Sequence, residues 1–275
     1  MNYRRLGQTG LEVSALGFGC GAVGGLLVRG ERKDMVRVVA RAIELGITYF
    51  DTAPAYGDGA SERIFGDALA GVSSPLFLAT KIRPTTQDAR ASVEPSLERL
   101  RRDRVDLVQL HGNSYTAAQA DEILAPGGLL SQLEALRDEG LIRFIGFTSE
   151  DNNPSVYRFI QSGRFDVMQT CYNLLFQHPY EPTRPFGSLI EADAAGMGTV
   201  TMRTLTSGLF QKWVRRVNPD DTFDYTAALM QFVLSNPLVD VALVGMRSPQ
   251  MVDANVAICE DMAGRIDLDW MHEKY

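Results

Sequence analysis

The sequence predicts an α/β fold in which eight parallel strands alternate with helices and close into a (β/α)8 TIM barrel. Strand-like runs and amphipathic segments alternate along the 275 residues and make about eight strand–helix pairs. Three successive strand-like runs each end at a polar residue. No low-complexity segment or shift in composition divides the sequence, so we expect residues 1–275 to form a single domain.

Predicted strands and helices alternate along the sequence after an N-terminal hairpin. Residues 3–6 and 11–14 alternate in polarity around a turn at 7–10, which predicts a β-hairpin. The predicted barrel strands are residues 15–18, 47–51, 76–81, 105–110, 142–148, 167–170, 198–202 and 239–244. The predicted helices are residues 34–45, 61–70, 88–100, 129–139, 155–162, 189–195, 225–234 and 249–260. Residues 112–128 and 204–221 are interpreted as loops that set specificity.

Four chemically related residues lie at or just after strand ends. Asp51 ends one run, and Tyr56 lies in the loop after it, where a proline and a glycine prevent an immediate helix. Lys81 and His111 end the next two runs. In parallel α/β folds, active sites form at the carboxyl ends of the strands. We therefore expect these four side chains to meet at one end of the barrel.

These residues resemble the catalytic residues of the aldo-keto reductases. The run Phe50-Asp51-Thr52-Ala53 with Tyr56-Gly57 is similar to the signature of that family. Lys81 and His111 match its two other catalytic positions. The resemblance continues over nearly the whole sequence, to the run Val244-Gly245-Met246-Arg247-Ser248-Pro249 near the end.

The resemblance implies an enzyme that reduces an aldehyde or ketone to an alcohol, or catalyses the reverse. Hydride would pass directly between a small-molecule substrate and NADPH. The resemblance also places the N-terminal hairpin across the bottom of the barrel. Proteins similar to this family also include regulatory subunits that use the bound nucleotide as a redox signal, and intact catalytic residues do not exclude that role.

Carbonyl reduction requires an acid that protonates the oxygen as negative charge develops there. A tyrosine with a pKa near 10 is a poor acid unless a nearby cation stabilises its phenolate. Lys81 is the candidate cation, and Asp51 is the carboxylate that orients Lys81 and keeps it charged. By resemblance, Tyr56 is the acid in reduction and the base in oxidation, and His111 orients the carbonyl.

The resemblance also implies a cofactor site. Thr148 and Ser149 end the fifth strand and Gln169 lies near the end of the sixth, where the family holds the nicotinamide amide. Met202 and Arg203 lie where many members present an aromatic ring to the nicotinamide. Gly21, after the first strand, permits a close approach of the backbone to the ribose.

The adenosine end is expected near the last helix. Gly245, Arg247 and Ser248 precede this helix, and an arginine beside a helix N-terminus suits the 2′-phosphate of NADPH. Asn255 matches the family's adenine-contacting asparagine. In this family, polar residues usually contact the adenosine, but here two of those positions are apolar, Met251 and Ala254. The choice between NADPH and NADH therefore stays open.

One alternative fold also fits part of the sequence. Gly19-Cys20-Gly21-Ala22-Val23-Gly24 is a G-x-G-x-x-G motif, and Asp51 ends the next strand, as in a Rossmann dinucleotide site. Against this alternative, the helical pattern begins only near Asp34, and residues 15–18 lack the apolar run of a central parallel strand.

Bulk composition restricts the partners. The net charge of −7 and a pI near 5.1 argue against nucleic acid or an anionic membrane surface, which both require a basic face. We expect a cytoplasmic protein, because no stretch is apolar enough to span a bilayer. The three cysteines fit a reducing compartment, no metal site is predicted, and the oligomeric state stays open.

Overall fold

The computed structural model describes residues 1–21, 31–181 and 186–274, and it confirms the (β/α)8 barrel. Strands β1 (Tyr3–Arg5) and β2 (Glu12–Ser14) form a separate antiparallel hairpin. Eight parallel strands close into a barrel, because the last strand pairs with the first. They are β3 (Leu16–Gly19), β4 (Tyr49–Asp51), β5 (Phe77–Ile82), β6 (Val105–Leu110), β7 (Ile142–Ser149), β8 (Val167–Cys171), β9 (Gly198–Met202) and β10 (Val241–Val244).

Helices surround the barrel, and all of those described except α8 contain buried residues. In α1 the buried residues Met35, Val38, Val39 and Ala42 follow the spacing of a helical stripe. Among the helices described here, none is long and apolar enough to cross a membrane. They are α1 (Arg32–Glu44), α2 (Ala60–Ala68), α3 (Ala89–Leu100), α4 (Ala117–Leu124), α5 (Leu129–Asp138), α6 (Pro154–Gln161), α7 (Ser188–Ala194), α8 (Leu209–Val217), α9 (Thr226–Leu234), α10 (Pro249–Glu260) and α11 (Leu268–Lys274).

Three of these helices were missed by the sequence analysis. The predicted loop at residues 112–128 contains α4, which begins with a capping box in which Thr116 and Gln119 exchange hydrogen bonds. The predicted loop at 204–221 contains α8, none of whose residues is buried. The third, α11, follows the last predicted element. The two loop predictions are therefore wrong in these segments.

The interior of the barrel is apolar towards its N-terminal end. Side chains on a strand alternate between two faces, so Tyr49 and Asp51 point into the barrel together, as do Phe77 and Lys81. The Tyr49 and Phe77 rings stack with their centroids 5.0 Å apart. Both rings belong to an inner apolar cluster, whereas Asp51 and Lys81 lie at the opposite, C-terminal end. The register therefore places a polar layer directly above an apolar one.

The N-terminal hairpin closes the bottom of the barrel, as expected. Leu6 is fully buried in the inner apolar cluster. The Gly7 amide donates to Asp240 Oδ2 at 3.0 Å. Gly7 has φ +46, and a Cβ there would lie 2.3 Å from the Gly198 nitrogen, so only glycine fits this turn. Backbone contact and a buried leucine together fix the hairpin against the strands.

Asp240 makes the stability of this closure depend on pH. Its Oδ2 accepts hydrogen bonds from the amides of Gly7 and Thr199, and burial raises its pKa to about 6. A raised pKa means that the carboxyl contributes most stability when protonated, and that this contribution is lost as pH rises through about 6.

We therefore expect Asp240→Asn, which keeps an accepting oxygen without a charge, to gain stability relative to wild type as pH rises. Between about pH 4 and pH 7 the difference in free energy of unfolding should move by up to about 3 kcal/mol in favour of the variant. Urea unfolding of both proteins at several pH values measures this difference. A difference that stays constant with pH would contradict the assignment.

Candidate active site

A tight turn brings Tyr56 back over the top of the barrel. After β4 the Tyr56 amide donates to the Ala53 carbonyl at 3.0 Å, and the Gly59 amide to the Pro54 carbonyl at 2.7 Å. Gly57, Asp58 and Gly59 all have positive φ, so two glycines in three positions relieve most of the strain. The sequence after the strand therefore folds this side chain towards the strand ends.

A buried ion pair lies at the centre of the site. Lys81 Nζ donates to Asp51 Oδ1 at 2.6 Å, to Asp51 Oδ2 at 2.7 Å and to the Thr52 carbonyl at 2.8 Å. Lys81 is 2% exposed and Asp51 is 3% exposed. Asp51 also accepts a hydrogen bond from Gln109 Nε2 at 3.1 Å. The charges are thus desolvated but surrounded by partners, which is the arrangement that buried ions require.

Tyr56 and His111 lie directly beside this pair. Lys81 Nζ is 4.9 Å from the centre of the Tyr56 ring. The Tyr56 and His111 rings meet edge to face, with centroids 5.6 Å apart. Gly21 lies next to the Tyr56 hydroxyl, since a Cβ added at Gly21 would be 3.7 Å from it, in ordinary van der Waals contact. The structure therefore brings together the four residues that the sequence placed at three strand ends.

Burial and the ion pair act in opposite directions on the tyrosine. Burial raises the pKa of Tyr56, whereas the Lys81 charge lowers it, and the net pKa lies above its ordinary value. Lysine therefore acts in the expected direction, but burial outweighs it. For Lys81, burial lowers the pKa, but Asp51 and Tyr56 more than compensate, so this pKa is raised. At neutral pH the site holds a protonated tyrosine beside a lysine ammonium.

His111 is neutral at physiological pH. Burial lowers its pKa to about 4, and the positive charges of Lys81 and Arg83 act in the same direction. A neutral imidazole has one N–H donor and one acceptor nitrogen. The ring can therefore donate a hydrogen bond without adding a second positive charge beside Lys81.

These residues open into a cavity of about 620 Å³ at the C-terminal end of the barrel. Most of the predicted site residues line it: Gly21, Asp51, Tyr56, Lys81, His111, Thr148, Gln169, Met202, Arg203, Gly245 and Arg247. A smaller cavity of about 320 Å³ beside α2 and α3 is lined by charged side chains and contains none of these residues. The larger cavity is therefore the candidate active site.

Three other predicted site residues do not line this cavity. Ser149 is buried, and its hydroxyl donates to the Asp151 carbonyl at 2.9 Å. Ser248 caps α10 by accepting a hydrogen bond from the Met251 amide at 3.2 Å. Asn255 is buried one turn after Met251, and its Nδ2 has no hydrogen-bond partner among the described residues. Residues 22–24 of the glycine motif lie outside the described residues.

The sequence analysis missed an ion pair in the cavity wall. Arg203 follows β9, Glu150 follows β7, and their side chains meet at 2.5 Å. Both residues line the cavity, so the pair spans the end of β8, which lies between those strands. Sequence alone gives no signal for a pair between residues so far apart in the chain.

The segment after β9 is held in strained conformations. Arg203, Thr206 and Ser207 have φ values of 59°, 53° and 52°, in the left-handed region that non-glycine residues seldom adopt. Arg203 and Ser207 line the cavity. Strain of this kind concentrates at functional sites, where the surrounding structure compensates for it.

The fold and this polar layer together define a (β/α)8-barrel protein whose tyrosine, lysine, aspartate and histidine meet at the C-terminal end. The sequence profile of the Aldo/keto reductase family matches residues 15–227. The chain belongs to this family. The family resemblance drawn from the sequence is therefore confirmed.

Individual relatives agree with this assignment. L-galactose dehydrogenase from Arabidopsis thaliana is 30% identical over 292 residues, which cover 94% of this chain and 88% of that protein. The holo form of the aldo-keto reductase AKR11C1 from Bacillus halodurans has a TM-score of 0.81 at 25% identity, covering 100% of this chain and 95% of that one. An aldo-keto reductase from Klebsiella pneumoniae in complex with NADPH has a TM-score of 0.74 at 21% identity, covering 99% and 94% respectively, and supports the fold alone.

Because Lys81 and Asp51 neutralise each other's charge, substitutions at these two residues should have non-additive effects on the free energy of unfolding. Lys81→Met leaves the Asp51 carboxylate buried without its counter-ion, which should cost about 3–5 kcal/mol of unfolding free energy. Adding Asp51→Asn removes the uncompensated charge and should recover more than half of that loss. Urea unfolding of the wild type, both single variants and the double variant measures the coupling. Additive losses would contradict a tightly coupled pair.

Proposed function

We propose that this protein is an NADPH-dependent oxidoreductase that reduces a small aldehyde or ketone to an alcohol, or catalyses the reverse, by direct hydride transfer. The observation that carries this proposal is the Tyr56 ring above the buried Lys81–Asp51 pair, with neutral His111 beside it. The relative L-galactose dehydrogenase is named for the oxidation of its substrate, which supports keeping both directions in the proposal.

Tyr56 is the proposed proton donor in reduction. Its raised pKa keeps it protonated at neutral pH, so that it can give its proton to the carbonyl oxygen. The phenolate that remains lies beside the Lys81 ammonium in a buried site, where charge interactions are stronger than in water. Asp51 holds Lys81 in place through both carboxylate oxygens. In oxidation the same tyrosine accepts the proton.

His111 is the proposed second contact to the carbonyl oxygen. Because its pKa is lowered to about 4, the ring offers a neutral N–H donor. The edge-to-face packing on Tyr56 fixes the ring relative to the hydroxyl. Two donors that converge on one oxygen orient the carbonyl and stabilise the charge that develops on it.

The residues around the cavity suit a nicotinamide cofactor, which when bound supplies or accepts the hydride. Gly19, Gly21 and Gly245 line the cavity and present backbone without side chains. The proposed residues around the nicotinamide are Thr148, Gln169, Met202 and Arg203, which line the cavity, and Ser149, which does not line it and whose hydroxyl donates to the Asp151 carbonyl. Both Gln169 and Met202 line the cavity next to the Lys81 layer. This supports placing the carboxamide of the cofactor on the same side of the cavity as the proposed proton donor.

The adenosine end is proposed at the start of α10. Ser248 caps this helix, and Gly245 and Arg247 line the cavity just before it. A helix N-terminus beside an arginine favours a phosphate group. Asn255 stays the proposed adenine contact by family resemblance, although its Nδ2 is buried and the residue does not line the cavity.

Tyr56→Phe tests the proposed proton donor. This change removes the hydroxyl and leaves the ring, so NADPH binding should be retained while hydride transfer slows by at least about 100-fold. Single-turnover oxidation of bound NADPH by a reactive aromatic aldehyde, after titration of both proteins with NADPH, measures the two effects separately.

The outcomes of this experiment distinguish the two functions considered. Equal oxidation in both proteins would refute the role of Tyr56. Tight NADPH binding without oxidation in wild type would refute the reductase and favour a nucleotide-sensing regulatory subunit.

Arg247→Gln tests the proposed preference for NADPH over NADH. Arg247→Gln removes the charge proposed to contact the 2′-phosphate, so the dissociation constant for NADPH should rise by about tenfold or more. The constant for NADH, which has no 2′-phosphate, should change by less than about threefold. Fluorescence titrations with both nucleotides make the comparison. An equal change for the two would contradict the assignment.

A further inference from the structure

Gln109 joins the buried ion pair to the proposed nicotinamide site. It lies on β6 two residues before His111, is fully buried, and stands level with Lys81 on the neighbouring strand. Its Nε2 donates to Asp51 Oδ2 at 3.1 Å and to Gln169 Oε1 at 3.2 Å. One amide group therefore contacts both the carboxylate of the ion pair and the carboxamide of Gln169.

The hydrogen-bonding capacities of the three groups fix their orientation. An ionised carboxylate only accepts hydrogen bonds, so Gln109 must turn its NH2 group towards Asp51. The second hydrogen of that NH2 points to Gln169, which must then accept through its oxygen. The remaining NH2 group of Gln169 lies 3.7 Å from Met202 Sδ, on the cavity side. The carboxylate thus sets the direction of two carboxamides in succession.

The packing around Gln109 supports a role beyond filling space. Gly146 lies opposite Gln109 on β7, and a Cβ there would lie 3.2 Å from Gln109 Cγ and 2.7 Å from the Val167 carbonyl oxygen. The Gln109 oxygen is buried and has no hydrogen-bond partner among the described residues. Burying an oxygen without a hydrogen-bond partner costs free energy, and a methionine or leucine would fill a similar volume without this cost. The reason for an amide at this position is therefore the two hydrogen bonds that its NH2 group donates to Asp51 and Gln169.

We infer that Gln109 is a positioning residue that makes Gln169 present a hydrogen-bond donor, not an acceptor, to the nicotinamide. This inference rests on the proposed function. A donor at this position selects the carboxamide oxygen of the cofactor and leaves its NH2 group for other partners. Gln109 thereby fixes how the carboxamide, and with it the nicotinamide ring, is oriented above Tyr56 and Lys81.

Gln109→Glu tests the direction of the hydrogen bond between residue 109 and Gln169. A carboxyl group at this position has at most one proton, which goes to Asp51, so towards Gln169 it offers only an acceptor. Gln169 must then turn and present its oxygen to the cavity. That oxygen binds the NH2 of a nicotinamide carboxamide, but it cannot bind the methyl ketone of the 3-acetylpyridine analogue.

The experiment measures dissociation constants for NADP+ and for its 3-acetylpyridine analogue by calorimetry. In Gln109→Glu the ratio of the analogue's constant to that of NADP+ should rise roughly tenfold above wild type, as expected for the loss of one hydrogen bond. Gln109→Met, which has no donor, should raise the ratio less. Gln169→Glu, which presents only an acceptor while Gln109 is intact, should match Gln109→Glu.

The outcomes separate the inference from the function on which it rests. If folded Gln109→Glu and Gln109→Met weaken both dinucleotides by the same factor, Gln109 only packs and the inference is overturned. If wild type binds neither dinucleotide, the proposed function itself fails. Thermal unfolding of each variant identifies any that does not fold, and Gln169→Glu then still tests the polarity that faces the cofactor.

Discussion

The ion pair between Lys81 and Asp51 is the constraint on which the top of the barrel depends. Two opposite charges that are almost completely buried are stable only if each keeps hydrogen-bond partners, since little of either side chain is exposed to water. The Thr52 carbonyl completes the shell of Lys81, and Gln109 completes that of Asp51. Tyr56 and His111 then take their electrostatic properties from this pair and from their own burial. The chemistry proposed for the site follows from how these charges are held.

The two-residue period of the strands produces both the stability and the site. Within β4 and β5 the same inward face carries an aromatic residue near the bottom and a charged residue near the top. The stacked Tyr49 and Phe77 rings form a solid base beneath the ion pair. A shift of one residue in either strand would turn the charges out of the barrel. Register therefore serves folding and function together.

Local patterns in the sequence predicted most of the fold and the four central residues. Strands end where polar residues follow apolar runs, and Asp51, Lys81 and His111 mark those ends directly. Helix α4 was missed because its segment is polar and glycine-flanked, although the capping box at Thr116 was readable. The contact of Arg203 with Glu150 and the role of Gln109 depend on which strands become neighbours. Such relations appear only once the barrel has closed.

The leucine of the hairpin, Leu6, gives the barrel a closed floor. Among the described residues, this floor closes the N-terminal end, and the cavity lies at the C-terminal ends of the strands. Two ligands that share a cavity closed at one end cannot bind and dissociate independently of each other. Under the proposed function, this arrangement favours an order in which the deeper ligand enters first and leaves last.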